Sequence, residues 1–190
     1  MPINNKTEPR RLTPRQQTGR AVNAVAELLE KRLSVPHIYI EPHSPLVRAD
    51  VLAVDRAGSG DLHAVLIKLK LGEGFERPED LNQMARSWMR FIKDAVKNTR
   101  SELMALPAHY RYLAIPHDSL SLLVGEIGPH LYPPDGIGRI GIIGIIDQGE
   151  EPPRAEISII PERFRVEPAK LRNIETKLLG KVRPDIEVRI

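Results

Sequence analysis

Three sets of residues in this 190-residue chain have types and spacing that could do chemistry. Asp50 stands at the head of an apolar run over 48–57, and Lys68 lies within a second run over 62–71. Gly58-Ser59-Gly60 separates the two runs, so they predict an antiparallel hairpin with a glycine turn. A strand repeats every two residues. Leu66, Lys68 and Lys70 therefore share one face, and Val65, Ile67, Leu69 and Leu71 share the other. Taken alone, Asp50 and Lys68 could form an ion pair on a solvated sheet face.

The second set is cationic. Arg86, Arg90, Lys93, Lys97 and Arg100 recur at spacings of four and three. They lie opposite the helical stripe of Leu81, Met84, Trp88 and Ile92. A solvated polar face has this pattern, and so does a surface that meets a polyanion. Such contacts would go to phosphates rather than bases and carry no sequence preference. The alternative is an acidic protein partner, or a structural domain with no polyanion role.

The third set is Gly136-Ile137-Gly138-Arg139-Ile140-Gly141, a G-x-G-x-x-G match. Dinucleotide binding requires those glycines to follow a strand and open a helix, whose N-terminus then faces the pyrophosphate. Here they follow Pro133-Pro134-Asp135 and lead into Ile142-Ile143-Gly144-Ile145-Ile146, a strand pattern. No nucleotide cofactor is expected.

The elements that must position these residues follow from periodicity and punctuation. Thr13-Pro14-Arg15-Gln16 reads as a capping box, and Ala21, Val22, Val25, Leu28, Leu29 and Leu33 follow at helical spacing. A helix is expected over 14–33. Strands are expected over 37–41, 48–57 and 62–71, then a helix over 78–100 and a strand over 110–115. Asp118 would cap a short helix to 127. Strands over 139–146 and 155–160 and a helix from Pro168 stopped by Gly180 complete the order, with a possible terminal strand over 182–190. This order predicts a mixed α/β or α+β fold, a sheet flanked by helices.

The hairpin resembles that of the PD-(D/E)XK nuclease superfamily, the restriction-endonuclease-like fold. In that family an Asp opens one strand, and an acid stands two residues before a Lys on the next. The resemblance assigns Asp50 to the metal-binding Asp and Lys68 to the Lys that positions or activates the attacking water. It implies Mg²⁺ or Mn²⁺ held by two carboxylates, and phosphodiester hydrolysis of nucleic acid. The departure is Leu66, which stands where the second acid belongs. Leucine cannot ligate a hard cation, so metal-dependent cleavage would be impaired or unconventional. The helix-strand-strand-strand-helix-strand order over about 14–146 also matches the family core, and Gln83 lies roughly where one branch carries a Gln. Family members often dimerise, so a homodimer is implied as a partner.

Some family members take the second carboxylate from the following helix. Asp80 falls about 80° from the Trp88-centred stripe and Glu79 about 180° from it, so Asp80 is the candidate second metal ligand. The alternative is an ordinary acid at a helix N-terminus. Asp55 stands an odd number of residues from Asp50 and faces the other side of the strand. The histidines at 37, 43, 63, 109, 117 and 130 make no zinc-type spacing.

Composition bounds the rest. There is no cysteine, which excludes disulfides, thiolate nucleophiles and Cys-based metal sites and suits a cytoplasmic setting. No signal core or membrane span is expected. Three Phe, four Tyr and one Trp are too few for a base-stacking platform. The net charge of +3 divides unevenly: residues 1–20 carry +4 and the remainder −1. A basic flexible arm over 1–13 and one nuclease-like domain over 14–190 are expected.

Overall fold

A computed structural model describes residues 13–33, 36–40, 49–55, 60–69, 97–120, 138–148 and 151–179. The first helix, α1 (Pro14–Arg32), begins where the sequence says it must. Thr13 Oγ1 accepts from the Gln16 N–H at 3.3 Å, and Gln16 Oε1 accepts from the Thr13 N–H at 2.9 Å. Pro14 fits the first helical position because its missing N–H would have had no partner there. Ala21, Val22, Val25 and Leu29 form the buried stripe. Arg20, counted among the N-terminal cations, pairs with Asp147 at 3.2 Å and donates to the Glu151 carbonyl. It ties α1 to the far edge of the sheet.

Among the described residues six strands follow: β1 (Pro36–Ile40), β2 (Val51–Asp55), β3 (Leu62–Ile67), β4 (Tyr110–Pro116), β5 (Gly141–Ile146) and β6 (Arg154–Ile159). Residues 97–105 are helical and are labelled α2; α3 spans Pro168–Leu179. The sheet order is β1-β2-β3-β4-β5-β6. The first three strands form an antiparallel meander, β3, β4 and β5 run parallel, and β6 is antiparallel to β5. The fold is therefore α/β with a mixed sheet, as the element order predicts.

Helices cover both faces. Ala21, Val22, Val25 and Leu29 of α1 pack with Val51, Ala53, Val65, Tyr112 and Ile143 on one side. Leu103 of α2, Leu106 just after it and Ile174 of α3 pack with Leu52, Ala64, Leu66, Leu113 and Ile142 on the other. Every residue of β3 is buried. A strand flanked by two neighbours and covered on both faces reads as a nearly continuous apolar run, and Leu62–Ile67 does, with His63 as its single polar residue. The idea of a solvated face is thereby corrected at Leu66, which is core, whereas Lys68, just past the strand, reaches solvent. Edge strand β6 instead alternates: Arg154, Glu156 and Ser158 are exposed, while Ala155, Ile157 and Ile159 are half-buried.

A bulge in β6 lets both faces be served. Ile142 pairs with Ile159 and Ile143 with Ile157, so Ser158 is the extra residue. Ile157 then packs on the α1 side and Ile159 on the α2–α3 side. Several ends differ from expectation. β2 starts at Val51 rather than 48, β3 ends at Ile67 rather than 71, and α2 runs to 105 rather than 100. The possible strand over 182–190 lies outside the described residues. Among the described residues no helix is long and apolar enough to cross a membrane.

Candidate functional site

Asp50 stands one residue before β2. Its N–H donates to the Val65 carbonyl at 2.9 Å, and its Oδ2 accepts from the Ile67 N–H at 2.6 Å. The side chain thus continues the β2–β3 ladder where the backbone of β2 has stopped. Lys68 follows the last residue of β3, and its N–H donates to the Ala114 carbonyl of β4 at 2.9 Å. Both residues therefore sit at the same end of the hairpin. Period two puts Asp50 in line with Leu52 and Lys68 in line with Leu66, and both leucines pack on the α2–α3 side.

Lys68 Nζ lies 3.0 Å from Glu102 Oε2 of α2, with the side chains 37% and 54% exposed. Glu102 was not among the residues the sequence pointed to. Its position was beyond the expected helix end at 100. About one and a half further turns of helical phase, anchored by buried Leu103, would have marked it as flanking the packed face.

Between Asp50 and Lys68, Leu66 is only 6% exposed and belongs to the apolar cluster with Leu52, Leu103 and Leu106. The position where the resemblance calls for a carboxylate is core. Asp80, the candidate second ligand, lies outside the described residues, as do Gln83, Arg86, Arg90 and Lys93. Lys97 and Arg100, the last two cations of the stripe, are on α2, exposed and half-buried respectively. They stand within a turn and a half of Glu102.

The metal that the resemblance implies can be tested against this donor set. Asp50 commits one oxygen to a backbone N–H, Leu66 offers none, and Glu102 is engaged by an ammonium. Among the described residues no group of three or more His, Asp or Glu could hold a metal ion. A hard cation such as Mg²⁺ or Mn²⁺ asks for several oxygens in near-octahedral array. The described residues do not fit one.

A second polar cluster lies at the opposite end of the hairpin. Gly60, at φ +70°, turns the chain, and Asp61 after it is 4% exposed. Arg163 closes on Asp61 with both Nε and Nη2, at 3.1 and 2.8 Å to Oδ1. His109 Nδ1 accepts from the Leu62 N–H at 3.0 Å, which makes His109 neutral with its proton on Nε2. Burial lowers its pKa in the same sense. The 3.4 Å approach of Asp61 Oδ1 to that nitrogen is then a contact between two acceptors, and Arg163 balances the carboxylate instead.

His63, on the α1 side, stacks on Tyr110 with ring centres 4.6 Å apart, and its Nδ1 lies 3.2 Å from Tyr112 Oη. Burial pushes the His63 pKa down to about 4 against the pull of Asp61 and Asp55, and pushes the Tyr112 phenol up to about 12. These groups are held neutral by desolvation.

The glycine run enters a strand, since Gly141 begins β5. That is the wrong context for dinucleotide binding. Gly138, at φ +82°, presents its bare Cα to the Phe164 ring, and a Cβ there would come within 3.0 Å of the ring. No protein-family model matches the chain, and no curated protein or solved structure matches it either.

Proposed function

We propose that this chain is a PD-(D/E)XK nuclease-like protein that acts on nucleic acid, with metal-dependent phosphodiester hydrolysis impaired by an incomplete centre. The observation that carries the reading is Leu66, 6% exposed in the core between Asp50 and Lys68. The element order supports the scaffold: a helix, an antiparallel meander, a helix, then a strand parallel to β3. Asp50 and Lys68 keep the family positions, but the lysine's charge is balanced by Glu102. Binding then falls to the cation stripe of Arg86, Arg90, Lys93, Lys97 and Arg100, which would follow a phosphate backbone without reading bases.

The test is to incubate the protein with plasmid and oligonucleotides in Mg²⁺ or Mn²⁺ and to measure binding in parallel. Salt-sensitive binding with little or no cleavage is expected. Rapid cleavage that Asp50→Ala abolishes would overturn the impaired centre, and absence of binding at low salt would overturn the nucleic-acid role.

A further inference from the structure

Among the described residues β6 ends the sheet, with β5 as its neighbour. Its side chains alternate between two different faces. Arg154 and Glu156 stand exposed on one. Pro153, Ala155 and Ile157 are half-buried on the other, where Ala155 and Ile157 pack on the α1 side. An edge strand carries backbone N–H and C=O groups that face away from the sheet and can pair with another strand. The regular part of this edge is short. Pro152 and Pro153 precede it, and the bulge at Ser158 ends it. Both features oppose open-ended growth along the edge and leave a ladder over 153–157.

That stretch is complementary to itself. When a strand pairs with its own copy about a two-fold axis normal to the sheet, opposed residues must share a face, and period two decides which can meet. An axis through Ala155 sets Arg154 of each copy against Glu156 of the other. An axis through Glu156 would oppose two glutamates, and one through Arg154 two arginines, and like charges directly opposite destabilise a pair. The axis through Ala155 also opposes the smallest side chain of the stretch to itself. On the α1 side it brings Pro153 of each copy opposite Ile157 of the other, which covers apolar surface that is half-exposed in one copy alone.

The two charges are free to exchange their present contacts. Arg154 Nη2 lies 3.7 Å from Glu151 Oε2, and Glu156 Oε1 lies 3.2 Å from His117 Nε2. The Arg154 and Glu156 side chains are 80% and 54% exposed, so these pairs are weak and their loss costs little.

We propose that two copies of this chain associate edge to edge through β6, antiparallel, with the two-fold axis at Ala155, to make one continuous sheet. The contact is isologous and closed, because each copy uses its one β6 edge. It rests on β6 alone and stands or falls apart from the nuclease-like reading, whose residues lie on other elements.

Sedimentation equilibrium of the full chain from about 1 to 200 μM tests it. The wild type is expected to pass from 21.4 kDa toward twice that mass as its concentration rises. Arg154→Glu sets acid against acid across the axis, and Glu156→Arg sets base against base. Each variant alone is expected to associate at least about tenfold more weakly. An equimolar mixture of the two, and separately the double variant, put opposite charges back at both positions and should recover the wild-type affinity. A wild type that stays monomeric throughout, single variants that associate as the wild type does, or recovery in neither the mixture nor the double variant would overturn the proposal.

Discussion

Lys68 Nζ and Glu102 Oε2 meet at 3.0 Å across the interface between the end of β3 and α2. The contact joins the lysine at the end of β3 to an acid from a neighbouring helix. Both side chains reach solvent, so the pair contributes at most about 1 kcal/mol to stability. Glu102→Gln is therefore expected to leave the unfolding midpoint nearly unchanged in urea. The same change removes a negative charge within a turn and a half of Lys97 and Arg100, so duplex affinity should rise a few-fold. Lower affinity would show that Glu102 is not a repulsive neighbour.

Leu66 offers a direct test of the family register. A glutamate there enters an apolar cluster of Leu52, Leu103 and Leu106. Leu66→Glu should lose about 3 kcal/mol or more at neutral pH, because an unpaired carboxylate is poorly tolerated in such a place. If Asp50 and position 66 are the two metal positions, millimolar Mg²⁺ or Mn²⁺ should restore part of that stability in the variant and none in the wild type. Thermal melts with and without the metal would read this. Equal metal effects in both proteins would refute the register.

The Asp61–Arg163 contact should respond asymmetrically. Arg163 has a half-exposed side chain, whereas Asp61 is buried. Arg163→Met leaves a carboxylate in the interior without its bidentate partner and should cost about 3 kcal/mol or more. Asp61→Asn leaves the guanidinium near water and should cost less. Urea denaturation of the two variants decides it, and the reverse order would contradict the structure.

His63 predicts an acid-sensitive fold. Its pKa falls from 6.5 in the unfolded chain to about 4 in the folded one, so acid first protonates the unfolded state. The contribution is complete above pH 6.5 and is lost as the pH falls from 6.5 toward 4. It amounts to as much as about 3 kcal/mol. His109 shifts in the same direction and adds to the slope. Asp61 and Asp55 oppose the His63 shift, while His109 and Arg32 support it. Stability measured from pH 8 to 4 should fall on acidification, and His63→Gln should flatten the fall. An unchanged slope in the variant would remove His63 as its source.

The helices were the most legible part of the chain. Thr13 with Gln16 marks the start of α1, and Pro168 marks the start of α3, because the signals that begin a helix are local chemistry. Strand ends were less legible. β2 stops short because the Asp50 side chain takes over a hydrogen bond that a backbone would otherwise make, and alternation cannot show that. The sharing of one sheet end by Asp50 and Lys68 followed from the antiparallel hairpin, and their shared face from period two. Glu102 did not follow, because a helix boundary misplaced by five residues put it outside the element that brings it to Lys68. The Asp61–Arg163 clamp joins residues 102 positions apart, a contact for which no local pattern exists.

Duplex binding measured by fluorescence anisotropy across a KCl series tests the nucleic-acid role most directly. Five phosphate contacts from Arg86, Arg90, Lys93, Lys97 and Arg100 predict a log–log slope near −4 to −5. Reversing Lys97 and Arg100 together to Glu should reduce the slope by about 2 and weaken binding alike for unrelated sequences. A duplex that does not bind at low salt, or that binds with the same slope after the reversal, would contradict it.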